Sequence, residues 1–211
     1  MSIFKTMEKY GVVPVAVIED LKNATNLSKT LLDAGLPILE ITFRTRAAEK
    51  SIRLISEKFP EILLGAGTVL RIEQVSAAIK SGAQFIVTPG FNPKIVDYCL
   101  SKEITIIPGL NSPTFVEWAL ERGLKVVKFF PAEVSGGISM LKALSGPYPE
   151  MSFIPTGGIN EKNLVSYLTL KNVIACGGSW LVKKDLISSG NFTEIRNRVE
   201  HALELVANAK K

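Results

Sequence analysis

The sequence predicts a single α/β domain over residues 1–211, a (β/α)₈ (TIM) barrel with an extra N-terminal helix. Short apolar runs alternate with segments of helical period, in eight strand-then-helix units of roughly 26 residues each. The runs are rich in Val, Ile and Phe, as expected for parallel strands that are covered on both faces. No linker or change of composition interrupts the series, which favours a closed barrel over the alternative, an open doubly wound sheet.

The elements follow from these patterns in chain order. A first helix is expected at Ser2–Lys9, ahead of the first strand. Each strand is predicted from a short apolar run, and most of the runs end at a turn with Pro or Gly. The strands are predicted at Val12–Ile18, Ile38–Phe43, Ile62–Ala66, Phe85–Val87, Thr105–Ile107, Val126–Phe129, Ser152–Ile154 and Val173–Cys176. The helices between and after them are predicted at about 22–34, 47–58, 71–81, 93–101, 113–121, 138–145, 160–170 and 192–208.

The composition is that of a globular domain, with 46% hydrophobic and 21% charged residues. No apolar run reaches the roughly 18 residues that would span a bilayer, so no membrane contact is expected. The start of the sequence lacks the pattern of a secretory signal. Cys99 and Cys176 lie far apart without a CxxC pattern and are expected to be free thiols. We therefore expect a cytoplasmic protein.

The charge pattern narrows the class of partner. The net charge of +5 is mild, and the basic residues are scattered singly among acids, which favours small anionic molecules and argues against nucleic acid. The single histidine, His201, lies in a charged stretch that resembles an amphipathic surface helix. With one His and two remote Cys, neither a zinc cluster nor a His-based catalytic triad is expected. The chemistry must therefore use Lys, Glu, Asp, Arg and hydroxyl groups.

Lys128 is the most informative residue, because it lies within the predicted strand Val126–Phe129. Alternation places Lys128 on one face of the strand together with Val126 and Phe130. Burial disfavours the charged ammonium, and a neutral amine is the nucleophile that forms Schiff bases with carbonyl substrates. The alternative is a lysine at the strand edge whose ammonium reaches water.

The second predicted strand carries a further group of polar side chains. Alternation directs Glu40, Thr42 and Arg44 away from their apolar neighbours and toward the barrel interior. Glu40 is a candidate general acid/base, and the planar guanidinium of Arg44 is suited to grip a carboxylate in two places. Thr68, at the mouth of the third strand, is expected to donate its hydroxyl to the same carboxylate. The alternative is a structural Glu40–Arg44 ion pair that closes the barrel.

Two glycine pairs follow the last two predicted strands, in Thr156-Gly157-Gly158-Ile159 and Gly177-Gly178-Ser179. Asn160 is expected to be the N-cap of the helix that follows the first pair. Phosphate groups in barrels bind at these two loops, because glycine lets backbone N–H groups approach the anion closely. The hydroxyl of Ser179 adds a donor, and the alternative reading is a pair of ordinary tight turns. A phosphate site at these loops, together with the Lys128 amine and the Glu40 carboxylate, would provide the groups that a metal-free aldolase needs to act on a phosphorylated 2-oxo acid.

Two long segments carry a family resemblance. Gly35–Arg44 resembles the glutamate signature of the 2-keto-3-deoxy-6-phosphogluconate (KDPG) / 4-hydroxy-2-oxoglutarate (KHG) aldolases, and Gly123–Ala132, with Gly136 following, resembles their Schiff-base lysine signature. The resemblance runs from about Val12 to the C-terminal helix. The chain departs from the pattern at the end of its first strand, where many relatives carry an arginine and Val15–Glu19 has none.

The resemblance implies a homotrimeric class I aldolase on a (β/α)₈ barrel, with no metal and no other cofactor. It further implies that Lys128 carries the covalent intermediate and that Glu40 shuttles protons. By the same matching, Arg44 and Thr68 hold the substrate carboxylate, and Pro89 and Phe130 line the pyruvate pocket. The residues that the resemblance places near the distal phosphate are Thr156, Gly157, Gly158 and Ser179.

The implied reaction is cleavage of KDPG to pyruvate and glyceraldehyde 3-phosphate, and of KHG to pyruvate and glyoxylate. The galactonate epimer of KDPG is an alternative substrate. A phosphosugar isomerase or epimerase on the same barrel is an alternative enzyme, which uses Glu40 but no covalent lysine. Borohydride reduction with pyruvate separates the two, because only the aldolase gains a stable adduct on Lys128. A non-catalytic phosphosugar-binding barrel would be stabilised by its ligand without any adduct.

Overall fold

The computed structural model describes residues 2–209, which form an α/β fold. The strands are β1 Val12–Ala16, β2 Ile38–Thr42, β3 Leu63–Gly67, β4 Phe85–Val87, β5 Ile106–Ile107, β6 Gly109–Leu110, β7 Val126–Phe129, β8 Ser152–Pro155 and β9 Cys176–Gly178. The helices are α1 Ile3–Tyr10, α2 Lys22–Asp33, α3 Ala48–Lys58, α4 Ile72–Lys80, α5 Pro93–Ser101, α6 Pro113–Glu121, α7 Gly137–Ser145, α8 Leu164–Leu168, α9 Lys184–Ser188 and α10 Phe192–Ala209. A 3₁₀ helix at Glu133–Ser135 precedes α7.

All the strand pairs are parallel, and the strands form a curled α/β arrangement of two sheets. The larger sheet has the order β5-β4-β3-β2-β1-β9, and the smaller sheet has the order β6-β7-β8. In the larger sheet Glu40 of β2 pairs with Val15 of β1 and with Gly65 of β3. In the smaller sheet Lys128 of β7 lies between Gly109 and Ile154. Parallel pairing brings the carboxyl ends of all these strands to one side of the molecule.

The alternation predicted for β2 and β7 is confirmed. The outer core between strands and helices contains Leu39 and Ile41 of β2 and Val127 and Phe129 of β7. Each of these side chains is fully buried, which stabilises the fold by about 1.5–3 kcal/mol per side chain. Val126 belongs instead to a second apolar cluster on the other face of the strands. The faces that carry Glu40 and Lys128 are therefore turned away from the helices.

The N-terminal helix α1 packs against this second cluster. Its only fully buried side chain, Met7, contacts the inward-facing apolar residues of the strands. The hydroxyl of Ser2 caps the helix by accepting a hydrogen bond from the Lys5 N–H, and Gly11 ends it with a left-handed φ of 66°. The Glu40 and Lys128 side chains lie directly above this apolar floor, since the space they border is also lined by Met7.

Several elements differ from the prediction. The predicted fifth strand, Thr105–Ile107, forms only β5 at Ile106–Ile107. After Pro108, which has no N–H for a sheet hydrogen bond, a further strand, β6, forms that was not predicted. The predicted last strand at Val173–Cys176 is shifted to β9, since the Val173 N–H bonds Leu170 O in a turn. Helix α9 was not predicted.

Helix α8 is shorter than the predicted segment 160–170, and the prediction that Asn160 is its N-cap is wrong. The side chain of Asn160 accepts a hydrogen bond of 2.9 Å from the Lys162 N–H in a turn that precedes the helix. The residue that precedes α8 is Asn163, and it makes no capping hydrogen bond. The polar run after β8 therefore forms a turn first, which lets the glycine pair lie above the end of the strand.

Two minor predictions are confirmed. His201 lies on α10 with an exposed side chain, and its Nδ1 is 3.7 Å from a carboxylate oxygen of Glu204. Cys99 and Cys176 are both free and buried. Within residues 2–209 no helix is long and apolar enough to cross a bilayer.

Candidate active site

A cavity of about 290 Å³ opens at the carboxyl ends of β1, β2, β3, β7, β8 and β9. It brings together nine of the ten residues that the sequence singled out, since each of them lines it except Pro89. Those nine residues are Glu40, Arg44, Thr68, Lys128, Phe130, Thr156, Gly157, Gly158 and Ser179.

Lys128 and Glu40 meet at the bottom of this cavity. Lys128 is 6% exposed and Glu40 is 4% exposed, so the alternative of a lysine that reaches bulk water is wrong. The distance from Lys128 Nζ to Glu40 Oε1 is 3.8 Å. The Nζ atom also lies 5.1 Å from the ring centroid of Phe130, which covers it on the mouth side of the strand. An amine and a carboxylate are thus held within reach of one small molecule.

The Glu40 carboxylate is only partly satisfied by the protein. Its Oε1 atom is buried and has no hydrogen-bond partner among residues 2–209. Most buried polar atoms in folded proteins are hydrogen-bonded, and leaving one unpaired costs about 1–3 kcal/mol. Since Glu40 lines the cavity, its carboxylate borders the space that a ligand would occupy, and no hydrogen bond within residues 2–209 competes for Oε1.

Gly67 has no Cβ, and the Glu40 carboxylate occupies the space where a Cβ would lie. Gly67 lies on β3 beside β2, where its register partner is Thr42. A Cβ atom built on Gly67 would lie 1.9 Å from Glu40 Oε1 and 2.6 Å from Glu40 Cδ. No side chain of any kind fits there without displacing the carboxyl group. The glycine in the third strand therefore fixes where Glu40 can sit.

Arg44 and Thr68 lie next to each other at the mouth of the cavity. Arg44 is exposed, and its Nε donates a hydrogen bond of 3.2 Å to Thr68 Oγ1. Thr68 has a φ of 55°, a left-handed conformation that is rare for a β-branched residue and is typical of functional sites. The alternative of a Glu40–Arg44 ion pair is wrong, because the ion-pair partner of Glu40 is Lys128.

The Thr42 side chain has a structural role, because it joins two strands. Its hydroxyl donates a hydrogen bond of 3.1 Å to the carbonyl oxygen of Ala16, which ties β2 to β1 next to Glu40. The prediction that its side chain faces the interior is confirmed, since Thr42 lines the cavity.

The loop after β8 presents N–H groups without partners. Gly157 and Gly158 have φ values of 98° and 85°, which only glycine adopts readily. The Gly157 carbonyl accepts a hydrogen bond from the Glu133 N–H, and the Gly158 carbonyl accepts from the side-chain amides of Asn160 and Asn163. The N–H groups of both glycines make no hydrogen bond within the described part of the chain. With its acceptors occupied and its donors free, the loop is suited to bind an anion.

Thr156 and Ser179 flank this loop. Thr156 is buried, its hydroxyl donates to the carbonyl oxygen of Ile154, and its side chain fills the space that a Cβ on Gly177 would need. Ser179 is exposed, lines the same cavity and makes no side-chain hydrogen bond within residues 2–209. The two predicted glycine motifs therefore line one cavity.

Pro89 is not brought into the same cavity. It lines a neighbouring depression of about 550 Å³, which shares only Phe130 with the cavity of Lys128 and Glu40. The structure thus places Phe130 between the two spaces and Pro89 behind it.

Three apolar wall residues were missed by the sequence reasoning. Val15, Val17 and Ile159 line the cavity together with the polar groups. Alternation along β1 could have found the first two, because every second residue of that strand faces the same side as Val13 of the inner cluster. Among the lining residues only Arg44 and Lys128 are cationic, and no group of three metal-ligating side chains occurs in residues 2–209.

Comparison with known proteins agrees with this geometry. The 2-dehydro-3-deoxy-phosphogluconate aldolase of Treponema pallidum (strain Nichols) is 44% identical over 206 residues, which cover 98% of each chain. The protein of the same name from Haemophilus influenzae is 47% identical over 97% of this chain and 96% of its own. A crystal structure of KDPG aldolase from Legionella pneumophila, with pyruvate captured at low pH as a covalent carbinolamine intermediate, matches with a TM-score of 0.92. It is 38% identical and covers 96% of this chain and 98% of its own.

The family model described as KDPG and KHG aldolase matches residues 3–198, nearly the whole chain. That match, with the two relatives over almost their full length, shows that this chain belongs to the KDPG and KHG aldolase family.

Proposed function

We propose that this chain is a class I aldolase, which cleaves KDPG to pyruvate and glyceraldehyde 3-phosphate through a Schiff base on Lys128. The observation that carries the proposal is the pair at the bottom of the cavity, a buried amine 3.8 Å from a buried carboxylate. KHG, which yields pyruvate and glyoxylate, fits the same pair because its cleavage needs the same two groups.

The mechanism follows from this geometry. The neutral Lys128 amine attacks the C2 carbonyl to form a carbinolamine, which loses water to give a protonated imine. The imine withdraws electrons, so the C3–C4 bond breaks as Glu40, directly or through a water molecule, removes the C4 hydroxyl proton. The aldehyde product leaves, and the remaining enamine is protonated at C3. Hydrolysis of the imine then releases pyruvate and regenerates the amine.

The mouth of the cavity binds the substrate carboxylate in this proposal. Arg44 supplies a planar guanidinium whose Nε is already aligned by its hydrogen bond to the Thr68 hydroxyl. Phe130 packs over the amine and borders the pyruvate end, with Pro89 behind it.

The phosphate of KDPG binds at the opposite wall, among Thr156, Gly157, Gly158 and Ser179. The free N–H groups of the two glycines and the unpaired hydroxyl of Ser179 support this assignment. Since the lining residues on that wall carry no cation, backbone donors supply the attraction for the anion.

The finer architecture belongs to the same proposal. The strands of the two sheets close into one eight-stranded barrel, with β5 and β6 as two halves of the fifth strand and 1–211 as one domain. Isolated bridges between Phe153 and Val173 and between Thr156 and Gly177 support closure on the β8–β9 side. The inward-facing residues of both sheets also share one apolar cluster, as a closed barrel requires.

The active form is a cytoplasmic homotrimer. Leu70 at 55% and Val134 at 85% exposure are the most exposed large apolar side chains in residues 2–209, and their burial in an assembly would be favourable. Light scattering coupled to size-exclusion chromatography tests the trimer, and a monomeric mass at working concentration would contradict it.

The experiment for the reaction uses two variants in a coupled assay for pyruvate release from KDPG. Lys128→Ala removes the nucleophile and is expected to abolish turnover, whereas Glu40→Gln removes the proton shuttle and is expected to slow turnover ~10²–10⁴-fold. Near-normal rates in both variants would contradict the proposed roles. Steady-state rates on KDPG, its galactonate epimer and KHG rank the three substrates.

A further inference from the structure

Glu133 and Tyr167 form a side-chain pair to which the proposed reaction assigns no part. Glu133 begins the 3₁₀ helix that follows β7, and Tyr167 lies on α8. The Tyr167 hydroxyl donates a hydrogen bond to Glu133 Oε1. Tyr167 is fully buried, although it is among the largest side chains of the core. Neither residue lines the cavity of Lys128 and Glu40.

Glu133 touches the glycine loop through both its backbone and its side chain. The Glu133 N–H donates a hydrogen bond of 3.1 Å to the Gly157 carbonyl. A Cβ atom built on Gly158 would lie 2.7 Å from Glu133 Cβ and closer still to its Cγ, so the stem of the glutamate packs directly on the backbone of Gly158. A movement of this side chain would therefore move the loop.

The carboxyl group of Glu133 lies beside the Tyr167 hydroxyl and the first residue of α7. A Cβ built on Gly137 would lie 3.0 Å from the Tyr167 hydroxyl and 3.2 Å from Glu133 Oε1, which places the pair against the N-terminus of α7. A helix N-terminus favours a nearby carboxylate. Burial, followed by the hydrogen bond to Glu133, raises the pKa of the Tyr167 hydroxyl above its usual range, so it remains a proton donor.

We propose that Glu133 and Tyr167 are positioning residues that fix the Gly157–Gly158 loop in the shape that binds the substrate phosphate. The pair sets the preference for phosphorylated over unphosphorylated substrates and takes no part in bond breaking at Lys128. This assignment rests on the proposed aldolase function, because it uses that function's division of the cavity into a pyruvate end and a phosphate end.

The test measures the two ends separately in Tyr167→Phe and Glu133→Ala. The phosphate end is read by KM for KDPG, and the pyruvate end by the rate at which borohydride traps pyruvate on the protein. Loss of one hydrogen bond to a charged group predicts an about tenfold rise in KM for KDPG in both variants. Pyruvate trapping is expected to stay at the wild-type rate, since pyruvate carries no phosphate.

Two further variants keep the test decisive. Glu133→Gln retains the stem and an oxygen that accepts from Tyr167, so KM for KDPG is expected to stay near the wild-type value. The matched control is Tyr148→Phe, which removes another tyrosine–glutamate hydrogen bond, of 2.8 Å to Glu117, on the surface and away from the cavity. It is expected to change neither readout.

The outcomes separate this assignment from the function on which it rests. An unchanged KM in Tyr167→Phe, or a parallel loss of pyruvate trapping, overturns the positioning role while leaving the aldolase intact. If Tyr167→Phe fails to fold, a tenfold-raised KM in Glu133→Ala with normal trapping supports the assignment, and an unchanged KM there overturns it. A wild-type chain that traps no pyruvate at all overturns the proposed function, and this assignment with it.

Discussion

Gly67→Ala displaces the proposed general base without altering any reacting group. The new Cβ would lie 1.9 Å from Glu40 Oε1, and real Cβ atoms essentially never approach a neighbour more closely than 3.0 Å. The carboxylate must therefore move by at least 3.0 − 1.9 = 1.1 Å. A displacement of about 1 Å in an active site costs ~10²-fold in rate, which corresponds to about 2.7 kcal/mol of transition-state stabilisation.

The cost to folding is expected to be smaller than the cost to catalysis. The clashing atoms belong to the end of a flexible side chain, and rotating it away from its preferred torsion costs about 0.5–1.5 kcal/mol. We therefore expect Gly67→Ala to keep a melting temperature close to that of the wild type while kcat/KM for KDPG falls ~10²-fold.

The matched control is Gly146→Ala, because a Cβ there meets only Ala143 O, at an ordinary 3.8 Å. Both variants are measured by coupled pyruvate release and by thermal denaturation. Wild-type kcat/KM in Gly67→Ala would refute the reasoning that the location of the Glu40 carboxylate controls the reaction. A loss of activity that merely follows a loss of fold would refute it as well.

Two further predictions concern the mouth and the core. Arg44→Lys keeps the positive charge but loses the planar guanidinium and its hydrogen bond to Thr68, so KM for KDPG is expected to rise about tenfold with little change in kcat. Arg46→Lys, at an exposed arginine, is the control and is expected to leave KM unchanged. An unchanged KM in Arg44→Lys would contradict the assignment of Arg44 to the carboxylate site. Burial raises the pKa of the Cys99 thiol to about 11, so the folded protein is expected to resist alkylation of Cys99 at about pH 8 and to react after unfolding. Rapid labelling of Cys99 in the folded protein, followed by mass spectrometry, would contradict its burial.

The sequence was sufficient to predict the alternation of strands and helices and the strand face on which each site residue of β2 and β7 lies. Both rest on short-range regularities, since alternation along β2 and β7 determines which side chains point away from the helices. Lys128 and Glu40 could be paired from sequence because parallel strands bring their carboxyl ends to one side. The family signatures then supplied roles that alternation alone leaves open.

What escaped prediction depends on contacts between distant segments. The shift of the last strand to β9 follows from the turn in which the Val173 N–H bonds Leu170 O, and the strand β6 after Pro108 forms by pairing with β7. Glycines in a strand resemble turn residues, yet Gly177 lies in β9, where the Thr156 side chain occupies the position of the Cβ that glycine lacks. The position of Pro89 behind Phe130 depends on how the β4 loop packs, which motif matching cannot show.

The pair of Glu133 and Tyr167 was likewise invisible in the sequence. The two residues are 34 positions apart, and neither belongs to a spacing that indicates contact. Only the fold reveals the hydrogen bond between them, on which the proposed support of the glycine loop rests.

The most direct measurement is borohydride reduction of the protein in the presence of pyruvate, followed by peptide mapping by mass spectrometry. A single reduced pyruvate adduct is expected on Lys128, the buried amine beside Glu40. Lys125, an exposed lysine just before the same strand, is the internal comparison and is expected to stay unmodified. A protein without any adduct, or one modified at Lys125 rather than at Lys128, would contradict the account.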